Sequence, residues 1–221
     1  MHLINTSFQR PDTSVVRALS EYSVALIGDA MGRHGIMQSA IKPVWAGAQV
    51  AGPALTVETY PCDNLMLHVA LRHAQPADVL VVDGGGYMEG GLWGELMSLE
   101  AKSARVSGLI VDGAVRDTAQ MMELRFPVWA RAVSARGTLK NGEGSVGVSI
   151  ACGGQVVHPG DIVIGDSNGV AVIPREKAEY ILERVRQQAR TEDVIRQRMA
   201  NGERLYEILD LNADICNRSL P

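Results

Sequence analysis

Two short apolar runs set the pattern of the chain. Val79 to Val82 (VLVV) is continuous and rich in β-branched residues, as strands buried on both faces are, and Val106 to Val111 (VSGLIV) again reads as a buried strand. Between them Leu92 to Val106 has helical composition, so the segment reads as one βαβ unit whose loops gather at the carboxyl ends of its strands. Upstream, Gln49 to Tyr60 alternates apolar and polar residues in its second half like a half-buried strand, with Gly52-Pro53 marking a bend. Thr13 or Ser14 is placed to cap a helix to about Tyr22, Ser23 a second one to Gly32, and Asp63 a third through His73. Downstream, Thr118 to Leu124 reads as a short helix and Pro127 to Ala130 as a short strand. Several short strands follow, broken at Gly153-Gly154, Pro159-Gly160 and the hairpin signal Asn168-Gly169. A long charged helix runs from Arg175 to about Ala200, stopped by Asn201-Gly202, with a short helix from Glu203 to Asp214. Its apolar positions Ile181, Leu182, Val185, Ala189, Val194 and Ile195 can pack on the parent core or on a neighbouring subunit.

The length of 221 residues, with 46% hydrophobic, fills one core and is short for two, so residues 1–221 read as a single domain with 175–221 as a helical extension. A net charge of −4 with dispersed Lys and Arg argues against nucleic acid, which demands clustered cations. No apolar run approaches the roughly 20 residues of a membrane span, and MHLINTSFQRPD has no signal-peptide core, which predicts a cytoplasmic protein without a membrane partner. Three scattered cysteines, Cys62, Cys152 and Cys216, suggest reduced thiols rather than a disulfide framework.

Candidate chemistry concentrates between Gly84 and Asp117. The glycines 84–86 and 90–91 match neither GxGxxG nor a phosphate-binding GK[ST] loop, and instead let backbone approach a small ligand. Gly94, Glu95 and Leu96 open a helix, where free amides and the helix dipole favour a carboxylate. Glu95 is either part of such a site or an ordinary first-turn acid. Arg116-Asp117 follows a buried strand, where open sheets place ligand chemistry. A lone carboxylate there suits Mg²⁺, which keeps several waters, while the simpler alternative makes Asp117 the cap of the helix at Thr118. Five histidines without HExxH spacing, no GxSxG elbow and no lysine on a buried strand leave zinc, serine-nucleophile and Schiff-base chemistry unsupported.

WGELMSLEAKSARVSGLIVDGAVRD, FPVWARAVS, the Lys140-Asn141-Gly142 turn, CGG…VHPGD and GDSNGVAVIP together resemble the 4-hydroxy-4-methyl-2-oxoglutarate / 4-carboxy-4-hydroxy-2-oxoadipate aldolases, of the superfamily of the regulator of ribonuclease activity A. The resemblance spans about residues 20 to 205. It implies a layered α/β sandwich of swivelling-domain type, assembled as homotrimers or homohexamers with sites between subunits, and class II pyruvate aldolase activity on a 2-oxo acid with Mg²⁺ or Mn²⁺. Asp117 would bind the metal and Arg116 the keto or enolate oxygen. Glu95 would hold a metal-bound water, the Gly94 to Leu96 backbone the pyruvate carboxylate, and Lys140 a distal carboxylate. Glu192, or Asp193 beside it, would reach the metal's waters from an adjacent subunit. Oxaloacetate decarboxylation would accompany the main reaction. The alternative within that superfamily is a non-catalytic ring-shaped regulator of ribonuclease activity. A methyl-transfer role is disfavoured, as no loop of the kind that holds S-adenosylmethionine is present.

Overall fold

A computed structural model describes residues 2–211. The elements in order are β1 (Leu3–Ile4), α1 (Thr13–Leu19), α2 (Val24–Ala30), β2 (Lys42–Pro43), β3 (Val50–Thr59), α3 (Leu65–His73), β4 (Val79–Asp83), α4 (Glu95–Ser103), β5 (Gly108–Val115), α5 (Thr118–Glu123), β6 (Val128–Val133), β7 (Gly144–Val146), β8 (Ile150–Cys152), β9 (Gln155–Val157), β10 (Ile162–Gly165) and β11 (Val170–Ile173). A 3-10 turn (Arg175–Lys177) then leads into α6 (Ala178–Ala200) and α7 (Leu205–Ile208). The predicted helix from Glu203 to Asp214 is thus one turn here, and its end falls outside the described residues, as does Cys216.

Four parallel strands, β3, β4, β5 and β6, lie side by side in chain order, joined by α3, α4 and α5. Their two faces separate by the period-2 rule of strands. Leu55, Val57, Leu80, Val82, Leu109, Val111, Val128 and Ala130 pack with Met66, Leu67, Met97 and Met121 of the three helices. The alternate residues Ala54, Val79, Val81, Ile110 and Trp129 pack against Ile150, Cys152, Val157, Val163 and Val170 of the later short strands. The far side of the β10–β11 hairpin, Ile162, Ile164, Ala171 and Ile173, is covered by α1, α2 and the first turns of α6. The molecule is a layered α/β fold.

The Gly52-Pro53 bend has a clear role: β3 pairs antiparallel with β10 over Val50–Pro53 and parallel with β4 from Ala54 on, so the bend falls where the strand changes partner. The Asn168-Gly169 turn joins β10 to β11 as expected. Ser23 caps α2, its hydroxyl accepting from the Leu26 amide at 3.2 Å. For α1 the cap is Asp12 rather than Thr13 or Ser14, with the Ser14 amide donating to its carboxylate at 2.7 Å. Buried positions of α6 stop at Val185, and none of its remaining 15 residues, about 22 Å of helix at the usual rise, is fully buried in this chain. Ala189, Val194 and Ile195 therefore do not join the parent core.

One in-register row carries a pH signature. Glu58, Asp83 and Asp112 align across β3, β4 and β5 on one face, and like charges on adjacent strands repel. Arg131 and the Gly153 amide bond Asp112, and Ser145 bonds Glu58, whereas Asp83 has the Gly85 amide. Burial raises the Asp83 pKa, the Gly85 amide lowers it, and the charges of Asp112 and Glu58 raise it further, leaving it above the ordinary carboxylate value. A carboxyl raised on folding adds stability that is complete below the unfolded pKa and lost as pH rises through the folded one. Asp83→Asn keeps an oxygen for Gly85 and should raise the melting temperature at pH 7, with the gain vanishing near about pH 3, where both side chains are neutral. Thermal melts of the two proteins across that range check the sign.

Candidate active site

The carboxyl end of β5 carries Arg116-Asp117, and a register shift between Val111 and Ala114 in its pairing with β6 re-aims this end of the strand. The loop before α4 inserts beside it: Gly91 bridges Ala114, the Leu92 amide donates to Ala114 O at 2.8 Å, and the Arg116 amide donates to Trp93 O at 2.9 Å. Leu92 and Trp93, read from the sequence as helical, are fully buried loop residues, and α4 begins only at Glu95. Trp93 stacks on Phe126, and its indole N–H donates to Ser98 Oγ at 2.7 Å, which donates to Gly94 O at 3.0 Å. The start of α4 is thereby fixed.

Asp117 is a non-glycine residue in the left-handed region, φ 58° and ψ 40°, at the first position before α5. Its side chain makes no capping bond to α5, which overturns the simpler sequence alternative. It turns instead to the neighbouring helix, Oδ2 accepting from the Glu95 amide at 3.1 Å, with Arg116 Nε 3.5 Å away. Arg116 and Asp117 remain 44% and 36% exposed at their side chains, open to a ligand. Gly94 makes room for both: a Cβ there would fall on Asp117 Oδ2 and 3.2 Å from Arg116 Nε. Its φ of −154° is ordinary extended backbone, so the constraint is space and not conformation.

Of the three helix-start amides expected to hold a carboxylate, that of Glu95 is already engaged by Asp117, whereas those of Gly94 and Leu96 donate to nothing among the described residues. A cavity of about 190 Å³ gathers Gly94, Glu95, Leu96, Arg116, Asp117 and Lys140 in one place. Glu192 does not line it. On α6 it bonds Arg196, as does Asp193 at 2.6 Å, so both acids are neutralised within their own helix in the single chain.

The same cavity holds two residues that the sequence reading passed over. Asn64 and His68 line it from the start of α3, and Asn64 Oδ1 and His68 Nε2 are buried with no hydrogen-bond partner among the described residues. Asn64 Nδ2 donates to Leu92 O at 3.1 Å, which fixes its oxygen as the free group. Their i, i+4 spacing was a signal that two polar groups share one helix face, but which face met the site depended on packing.

Among the described residues no three His, Cys, Asp or Glu converge as a closed metal cage. An all-oxygen set of one or two carboxylates with room for water fits a hard divalent cation of the Mg²⁺ type and not zinc. A larger hollow of about 490 Å³ lies between α2 and α6, lined by His34, His158, Lys177 and Arg184. Its acid, Asp161, is buried and already spent on the His158 and Arg175 amides at 2.9 and 3.2 Å, so this hollow offers no comparable acid-base set.

Residues 24–172 match the profile of the family described as RraA-like, Aldolase/RraA. The chain belongs to the RraA-like family. An RraA-like relative from Halalkalibacterium halodurans, bearing the provisional name 4-hydroxy-4-methyl-2-oxoglutarate aldolase, is 36% identical over 172 residues, covering 78% of this chain and 81% of its own. Among solved RraA-like structures, Streptomyces coelicolor RraAS2, described as an unusual member of the RNase ES inhibitor RraA protein family, superposes with a TM-score of 0.78. It is 29% identical and covers 86% of this chain and all of its own. An uncharacterised Pseudomonas syringae protein, 23% identical, shares the fold with a TM-score of 0.80 over 90% of this chain and 98% of its own. The family thus includes both an aldolase name and a ribonuclease-inhibitor name. No helix among the described residues is long and apolar enough to cross a membrane.

Proposed function

We propose that this chain is a divalent-metal-dependent pyruvate aldolase that cleaves a 4-hydroxy-2-oxo acid, of the 4-hydroxy-4-methyl-2-oxoglutarate or 4-carboxy-4-hydroxy-2-oxoadipate type, to pyruvate and a second oxo acid. The observation that carries this reading is the Asp117 carboxylate, which leaves its own helix uncapped to sit beside Arg116 and the start of α4. Structural strain kept at such a position points to function.

Asp117 would hold Mg²⁺ or Mn²⁺, with Glu95 reaching it through water. Bound there, the ion would supply Lewis acidity to the substrate's 2-oxo group. The amides of Gly94 and Leu96 take the substrate's C1 carboxylate. Glu95, through one water, removes the C4 hydroxyl proton; the C4–O bond becomes a carbonyl, the C3–C4 bond breaks, and its electron pair moves to the C2 oxygen. The Arg116 guanidinium stabilises the charge arriving on that oxygen. A proton returned to C3 completes pyruvate, and loss of CO₂ from oxaloacetate passes through the same enolate. Lys140 pairs with the distal carboxylate. Glu192 or Asp193 of another copy would complete the site in a homotrimer or homohexamer, a reading supported by the overhang of α6 and by Leu96, 77% exposed at the mouth of the cavity.

Pyruvate release from 4-hydroxy-4-methyl-2-oxoglutarate and from oxaloacetate is expected to stop in EDTA and to resume on adding excess Mg²⁺ or Mn²⁺. A coupled assay for pyruvate reads both. Turnover that persists in EDTA contradicts the proposal, and no turnover under any metal together with inhibition of a ribonuclease would favour the regulator reading.

A further inference from the structure

Asp63 is only 2% exposed and, among the described residues, pairs with no cation within hydrogen-bond distance. Its two oxygens are divided between two pieces of backbone: Oδ1 accepts from the Leu65 amide at the start of α3, 2.9 Å, and Oδ2 from the Asn141 amide, 2.7 Å. Read from the sequence as the cap of α3, it does serve that end, but half of its capacity goes to the segment bearing Lys140. Burial raises its pKa, yet the amides of Leu65, Asn141 and Gly142 and the charge of Lys140 outweigh this and leave it lowered. The ionised form is therefore the one the fold selects.

The same corner of the fold holds the segment elsewhere through backbone. Leu139 is 64% exposed, and on either side of Lys140 the anchors are backbone bonds to the same corner: the Asn64 amide to Leu139 O, 3.0 Å, the Leu139 amide to Cys62 O, 2.9 Å, and the Tyr60 amide to Glu143 O, 3.1 Å. Gly142 lies so close that a Cβ would stand 2.8 Å from Asp63 Cγ. Asn64, the next residue, ties down the opposite wall through Leu92 O. One dipeptide at the start of α3 thus anchors both walls of the cavity that Lys140 lines together with Arg116 and Asp117.

We propose that Asp63 is a positioning residue for Lys140: by holding the Asn141 amide against the start of α3, it sets where the Lys140 ammonium stands and so the affinity for the substrate's distal carboxylate. The inference rests on the aldolase reading and deepens it. Pyruvate, which has no distal carboxylate, separates the two. Asp63→Asn keeps one oxygen for Leu65 and turns an NH₂ toward the Asn141 N–H. Its KM for 4-hydroxy-4-methyl-2-oxoglutarate should rise about tenfold, the scale of one lost charge-assisted hydrogen bond, with kcat within about twofold. Exchange of the pyruvate methyl protons in D₂O, followed by NMR with Mg²⁺ present, should stay at the wild-type rate. Lys140→Ala should raise the same KM, and the double variant should be no worse than Lys140→Ala alone, because both remove one interaction. Asn141→Pro removes the donor and leaves Asp63 intact, so it should reproduce the KM rise even if Asp63→Asn folds poorly. Additive KM effects, a wild-type KM in Asn141→Pro, or proton exchange falling in step with the KM rise would overturn the proposal. A wild-type protein that exchanges no pyruvate proton overturns the aldolase reading and this inference with it.

Discussion

Asp117→Asn should lose pyruvate-forming activity by more than the roughly 10–100-fold typical of removing a partner outside a metal's own ligands, with its thermal stability close to wild type. The expectation separates chemistry from folding because Asn tolerates the left-handed backbone of residue 117 about as well as Asp does. Its side-chain oxygen still accepts from the Glu95 amide, so the junction between β5 and α4 stays intact. What disappears is the negative charge beside Arg116, which on the proposed reading would hold the cation. Asp117→Ala should be equally inactive and somewhat less stable, by about 1 kcal/mol, because alanine is disfavoured at positive φ. Steady-state kinetics on both substrates, paired with thermal melts, reads the two effects apart. Near-wild-type, metal-dependent turnover in either variant would sink the assignment.

The second large effect is expected at a residue with no functional group. Gly94→Ala meets no backbone strain, since φ −154° is open to any residue, but its methyl would collide with Asp117 Oδ2 and crowd the Arg116 side chain at 3.2 Å. Both of those side chains are partly exposed and free to move aside, so the fold should absorb the change. The site should not: displacement of reacting groups by about 1 Å can cost on the order of 100-fold in rate. We expect kcat/KM to fall by about that factor, half-saturation by Mg²⁺ to move to higher concentration, and the melting temperature to change little. A metal titration of activity and a thermal melt suffice. Equal losses of activity and stability would show the glycine to be a folding requirement only.

The strands that form the parallel core were legible because Val79 to Val82 and Leu109 to Val111 are buried on both faces and carry that burial as unbroken apolar runs. The turn at Asn168-Gly169 was legible because its chemistry is local. The site was legible only in part. Glu95, Arg116 and Asp117 lie at the ends of recognisable elements, but the sequence alone allowed Asp117 to cap α5, and only the packing of α4 beside β5 shows its carboxylate spent elsewhere. The meeting of Asn64 and His68 with Lys140 depends on the pairing of Asp63 with Leu139, 76 residues apart, which leaves no periodic trace. Two-residue strands such as β1 and β2 were illegible for a related reason, since their pairing with β7 and β6 is imposed from outside.

The walls nearest Arg116 are glycine backbone at Gly91 and Gly94, where added atoms would strike Ser134 O and Arg116 at one and Asp117 at the other. Drift at these two positions is therefore one-directional: every single substitution takes volume from the cavity and none returns it. At Gly94 the atoms struck belong to side chains that can move aside, so a lineage that loses this glycine can keep its shell of strands and helices while the small-molecule pocket closes. One-residue changes of this kind offer a short physical route from a cavity-bearing protein to one that works through its exterior alone, within an otherwise unaltered fold.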